Sequence, residues 1–121
     1  MALNERRADE YIKDMLESIT LIQQFISSAD ESAFHAQKLV QHAIIWHFAI
    51  LGEAASRLPT TVRQQYSSVP WRQIINMRNR LIHNYYQIDL AIVWRAIQDD
   101  LPILEPQLQT MLANIERDAQ L

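Results

Sequence analysis

The chain has 121 residues, 49% of them hydrophobic and 21% charged, and 11 Lys and Arg against 14 Asp and Glu leave a net charge of −3. That length and balance fit one soluble globular domain spanning 1–121 rather than a disordered tail. The single glycine and the absence of cysteine exclude glycine-rich phosphate loops, hairpin-rich β folds, disulfides, thiol nucleophiles and Cys-ligated zinc.

The N-terminus, MALNERRADE, has no apolar signal core. The longest apolar run, Ala43 to Leu51, is interrupted by His47 and falls well short of the roughly 20 residues of a membrane span. A cytoplasmic protein with no membrane partner is expected. Charge is unevenly placed: Arg72, Arg78, Arg80 and Arg95 against Asp89 give 4 − 1 = +3, which leaves −6 for the remainder. A cationic patch on an acidic body attracts a specific anion while repelling bulk polyanion elsewhere.

The first predicted helix runs from Asn4 to Ile26, with Ile12, Met15, Ile19, Ile22 and Ile26 spaced 3, 4, 3 and 4 apart on one side. Ser27, Ser28 and Asp30 interrupt it, and Asp30 or Ser32 caps the next. A second helix is expected from about Glu31 to Arg57, ending before Pro59. Its middle, AIIWHFAIL, is apolar all round, which predicts a helix surrounded by neighbours. Gly52 costs such a helix about 1 kcal/mol relative to alanine, and close approach of another helix explains it most simply. Pro59, Thr60 and Thr61 open a connection.

The third helix starts near Pro70, with Trp71, Ile74, Ile75, Leu81 and Ile82 on its apolar side and arginines over much of the rest. In the final stretch Leu90, Trp94, Ile97, Leu101, Leu104, Leu108, Met111 and Ile115 alternate gaps of 4 and 3, a bundle seam. Pro102 is expected to kink it or to restart it as a separate piece. No strand-like alternation, repeat or linker is found. The predicted fold is all-α, an up-and-down helical bundle of four long helices, or five pieces with a break near Pro102.

His35, His42 and His47 are separated by seven and five residues, whereas a helical zinc pair needs four. His47 reads as a satisfied core histidine, His35 and His42 as surface. No metal ligand set and no cofactor are predicted. Glu53 either pairs with an arginine of the third helix or is solvated, or meets an N-terminal charge.

The distinctive string is Met77-Arg78-Asn79-Arg80-Leu81-Ile82-His83-Asn84-Tyr85-Tyr86. Asn79 and His83 are four apart and share a helical face, so the amide can orient the imidazole. Arg78 and His83 diverge by about 140° on a straight helix. They meet on one substrate only through arginine's reach, a helix end near His83, or a second subunit related by a two-fold axis. RNA carries its own nucleophile, the 2′-hydroxyl, so cleavage needs a base, an acid and a cation for the phosphorane. Histidine and arginine supply these without a metal. The plainer alternative is a solvated polar face with tyrosines packed at its edge.

Arg78-Asn79-Arg80-Leu81-Ile82-His83-Asn84-Tyr85 resembles the R-x4-H-x-Y signature of HepT-like toxins in the HEPN superfamily. The Leu51-Gly52-Glu53-Ala54 step, the Pro70-Trp71 start and Val93-Trp94 extend the resemblance over nearly the whole chain. The resemblance implies a homodimeric, metal-independent endoribonuclease, the toxin of a toxin–antitoxin pair, with RNA (tRNA among the target class) as substrate. It implies Arg78 and His83 as the catalytic pair, supported by Asn79; from the cationic patch around them, Arg80 and Arg72 are expected as contacts to RNA phosphate. The partner it implies is a minimal nucleotidyltransferase antitoxin that attaches AMP to the motif tyrosine, Tyr85, with Tyr86 as the neighbouring candidate. Two rival readings use the same residues: a non-catalytic nucleotide- or RNA-binding partner of a nucleotidyltransferase, and a helical dimerisation protein.

Overall fold

Residues 6–27 and 29–120 are described by the computed structural model, so the expected helix start at Asn4 and the interruption at Ser28 lie outside the described residues. Helix α1, Ala8–Ile26, buries Ile12, Met15, Ile19, Ile22 and Ile26, the stripe that the 3,4 spacing predicts. Its first turn is fastened by Arg7, whose Nη2 and Nε donate to Asp9 at 2.6 and 3.0 Å. Those bonds hold the Asp9 carboxyl below the usual carboxylate range. Asp30 caps the short α2, Glu31–Ala36, by accepting from the Ala33 N–H at 2.8 Å.

The expected single second helix is broken. Gln37 is extended (φ −113°, ψ 95°) between α2 and α3, Lys38–Arg57. No proline or glycine marks the break. The buried Gln41 side chain stabilises it by donating from Nε2 to the carbonyls of Phe34 and His35 at 2.8 and 3.0 Å, satisfying acceptors that a helix end leaves open. α3 ends before Pro59, but Pro59 then begins a further short helix, α4, Thr60–Gln65. Helix α5, Trp71–His83, starts directly after Pro70. The Trp71 indole N–H fixes that start, donating to the carbonyls of Arg63 and Tyr66 at 3.1 and 3.0 Å.

The last stripe forms α6, Leu90–Arg95, a π-helical turn, Ala96–Asp100, and α7, Leu101–Ala119. The interruption therefore falls just before Pro102, which lies in the first turn of α7. Proline has no N–H to give the carbonyl four residues back and its ring crowds that oxygen. The preceding turn widens, with the Leu101 N–H donating to the Ala96 carbonyl five residues back.

Among the described residues the fold is all-α, with α1, α3, α5 and α7 as the long helices. α3 packs against both α1 and α5, and α7 packs against α1 and faces α3 and α5 across a hollow lined by Phe48, Leu51, Ile74, Leu101 and Leu104. The start of α1, at Asp9 and Lys13, lies by the end of α7, at Glu116 and Ala119, so these two run in opposite directions, while Glu53 on Arg78 joins α3 to α5. Phe34, Ile44, Leu51, Leu58, Val93, Leu101, Leu108 and Met111 complete the core with the α1 stripe, each side chain of that size contributing about 1.5–3 kcal/mol by burial. No described helix is long and apolar enough to cross a membrane.

Candidate active site

The ten-residue string spans the second half of α5 and the turn that follows it. Arg78 leaves α5 toward α3 at Gly52. A Cβ built on Gly52 would lie 2.2 Å from the Arg78 Cβ and 3.0 Å from the Ile74 carbonyl oxygen. The missing side chain is what lets the two helices meet there, in keeping with the close approach expected at that glycine. The Arg78 guanidinium then reaches residue 53, its Nη1 donating to Glu53 Oε2. The other carboxylate oxygen accepts from Arg57 Nε at 2.9 Å. Of the readings open for Glu53, pairing with an arginine of the third helix is the one observed.

His83 is the last residue of α5 and is exposed. The Asn84 N–H closes the helix on the Arg80 carbonyl at 3.0 Å. Its backbone (φ −121°, ψ 40°) turns the chain into a 3-10 segment, Tyr85–Gln87. Tyr85 and Tyr86 are 73% and 69% exposed, their rings edge to face with centroids 5.8 Å apart.

α5 is continuous from 71 to 83, so Arg78 and His83 do project about 140° apart and about 7.5 Å apart along its axis. Helical geometry by itself does not bring the pair to a common point. Asn79, half-buried, lies about 40° from His83, and exposed Arg80 about 60° from it. Among the described residues no hydrogen bond joins Asn79 to His83. Arg72 is exposed but sits about 16 Å from His83 along the helix, so the structure does not gather it with the others.

Between Arg78 and His83 lies Ile82, expected on the apolar side of α5 yet 48% exposed. It faces the outer surface of α3, where Trp46 is 64% exposed. This corrects the reading of the α3 middle as surrounded. Ile44, Phe48 and Leu51 are buried, but Trp46 stands in solvent beside α1 and α5, lining hollows with residues of both. Two hollows meet at Trp46, Ala49 and Ile82: one runs to Tyr85 and Tyr86, the other to Glu53, Arg57 and Arg6. His42 lines the first and, like His35, is exposed. His47 is half-buried rather than a satisfied core residue: its ring stacks on Phe25 and its Nδ1 is buried with no partner among the described residues.

A family model described as Ribonuclease HepT-like matches residues 15–111. The "Probable ribonuclease HepT" of Thermococcus cleftensis is 30% identical over 107 residues, which cover 88% of this chain and 97% of that protein. The "Gamma-glutamylcyclotransferase and putative RNase" of Methanocaldococcus jannaschii is 32% identical over 108 residues, 89% of this chain, and this chain spans about half of it, 49%. No solved structure matches the chain.

Proposed function

From the premise that this chain belongs to the HepT-like ribonuclease family, we propose that it is the RNA-cleaving toxin of a toxin–antitoxin pair, acting without a metal on cytoplasmic RNA as a homodimer. The observation that carries this reading is the placement of the motif: Arg78 anchored at one side of α5, His83 exposed at its end, and an uncovered apolar strip containing Ile82 between them. A second copy docked on that strip through a two-fold axis would line one cleft with both motifs.

In that cleft the 2′-hydroxyl of the substrate attacks the adjacent phosphorus. One His83 imidazole takes the hydroxyl proton and the imidazolium of the other copy protonates the departing 5′-oxygen. Arg78 donates to the non-bridging oxygens as charge builds on them. Asn79 supports the pair, and Arg80 and Arg72 contact flanking phosphates. The products are a 2′,3′-cyclic phosphate and a 5′-hydroxyl.

Protein purified free of its partner is expected to cut RNA in EDTA and leave the cyclic phosphate. His83→Ala and Arg78→Ala should each lower the rate at least about 100-fold, the low end for a lost general acid–base or its equal. RNA binding without cleavage, indifferent to His83→Ala, would overturn the reading in favour of a binding partner.

Inhibition follows from the exposed tyrosines. A minimal nucleotidyltransferase antitoxin transfers AMP to Tyr85: the phenolic oxygen attacks the α-phosphorus of ATP, pyrophosphate leaves and the phenolic proton is released. The added phosphate brings negative charge and bulk to the mouth of the cationic cleft. Co-expression with such an enzyme should raise the intact mass by one or more AMP units, and Tyr85→Phe should remove the rise. A full shift in Tyr85→Phe would move the acceptor away from Tyr85, with Tyr86 next.

A further inference from the structure

We infer that Glu53 is a positioning residue for Arg78, fixing which edge of the guanidinium faces the scissile phosphate; this rests on the ribonuclease reading. Two adjacent residues of α3 set the direction of one side chain. Gly52 admits the Arg78 stem against the α3 backbone, and Glu53 Oε2 then receives Nη1. Arg57, one turn further along α3, occupies Glu53 Oε1 at 2.9 Å. The carboxylate is held from both sides.

An arginine has five N–H donors in a rigid fork. In Arg78 the Nε is buried with no partner among the described residues, and Nη1 is committed to Glu53. Nη2, with the second hydrogen of Nη1, is the edge left for a phosphate. A free arginine samples rotamers about four bonds, and that freedom would have to be lost as the substrate reacts. Here the loss precedes binding. Each Glu53 oxygen already accepts from an arginine, and the role assigned to the residue is exerted through Arg78. The pair is also a poor structural clamp, with the side chains 20% and 45% exposed, because ion pairs open to water stabilise little.

Releasing the guanidinium has a distinctive consequence. It keeps its charge and loses a competing anion, so ground-state binding of RNA does not weaken, while the aim needed in the transition state is lost. Glu53→Gln should therefore lower kcat on a defined oligoribonucleotide between about 10- and 100-fold, with KM unchanged or lower. In an Arg78→Ala background the same substitution should change kcat by less than about 2-fold, the non-additivity expected of residues acting as a unit. Glu53→Asp, too short to reach Arg78, should repeat the loss and serves if Glu53→Gln does not fold by circular dichroism.

An unchanged kcat, or an equal further loss in the Arg78→Ala background, overturns the assignment. If the wild-type protein cuts no RNA, it is the ribonuclease reading that falls, and the hold on Arg78 is judged by nitrogen-15 NMR. Separate, slowly exchanging Arg78 Nη signals that merge in Glu53→Gln support the hold; merged signals in the wild type overturn it.

Discussion

Gly52 sits inside α3, where alanine would favour the helix by about 1 kcal/mol. Against that stands a contact a new methyl cannot avoid: 2.2 Å to the Arg78 Cβ, 2.9 Å to its Cγ and 3.0 Å to the Ile74 carbonyl oxygen. A Cβ and a backbone oxygen do not rotate away, so α3 and α5 must part, at an overpacking cost of about 1–3 kcal/mol. The clash wins. Gly52→Ala should lower the melting temperature, and it should reduce RNA cleavage more than the lost stability explains, because the shifted stem carries Arg78 away from Glu53. A variant melting at or above the wild type would show that the helices separate freely. The need for a close approach at residue 52 was legible in the sequence, since a lone glycine in an apolar helix weakens that helix unless a neighbour uses the space. Which residue approaches depends on how α3 and α5 cross, and local pattern does not carry that. For the same reason Glu53 had more than one possible partner until α5 was in place.

At the level of elements, periodic burial was readable and interruptions were not. The α1 stripe, and Leu101, Leu104, Leu108 and Met111 of α7, are buried at the predicted spacing, because a helix has one core face and apolar residues must fill it. The extended Gln37 has no proline or glycine to announce it. It depends on Gln41, whose amide finds two carbonyls only after the chain has turned. Pro102 did announce an interruption, but the helix answers one turn earlier by widening into a π-helical turn. Proline acts on the carbonyl behind it, so the distortion precedes the residue that causes it. The angular divergence of Arg78 and His83 holds because α5 is unbroken between them. Helical geometry fixed that much of the site in advance. What the end of α5 leads into, a 3-10 turn presenting both tyrosines, follows from the backbone at Asn84 and has no comparable periodic signal.

For the molecule as a whole, α1 and α5 flank α3, α7 packs against α1, and one face of α3 stays uncovered. The same nine apolar-rich residues that suggested a surrounded helix therefore leave Trp46 in solvent, beside Ile82. A large exposed aromatic in a continuous apolar strip marks an interaction surface more often than chance exposure, and on the proposed reading the occupant is a second copy. That assignment ties assembly to activity, since Arg78 and His83 of one chain diverge. Trp46→Glu places a charge in the centre of the strip without touching either motif residue. Sedimentation equilibrium should find the wild type as a dimer and Trp46→Glu as a monomer, with its helical circular dichroism retained because Trp46 contributes little to the core. RNA cleavage by the monomer should fall at least about 100-fold, the scale of losing one His83 from the cleft. A monomer that cuts RNA at the wild-type rate would mean that one chain suffices and that Arg78 reaches around α5 to His83 unaided.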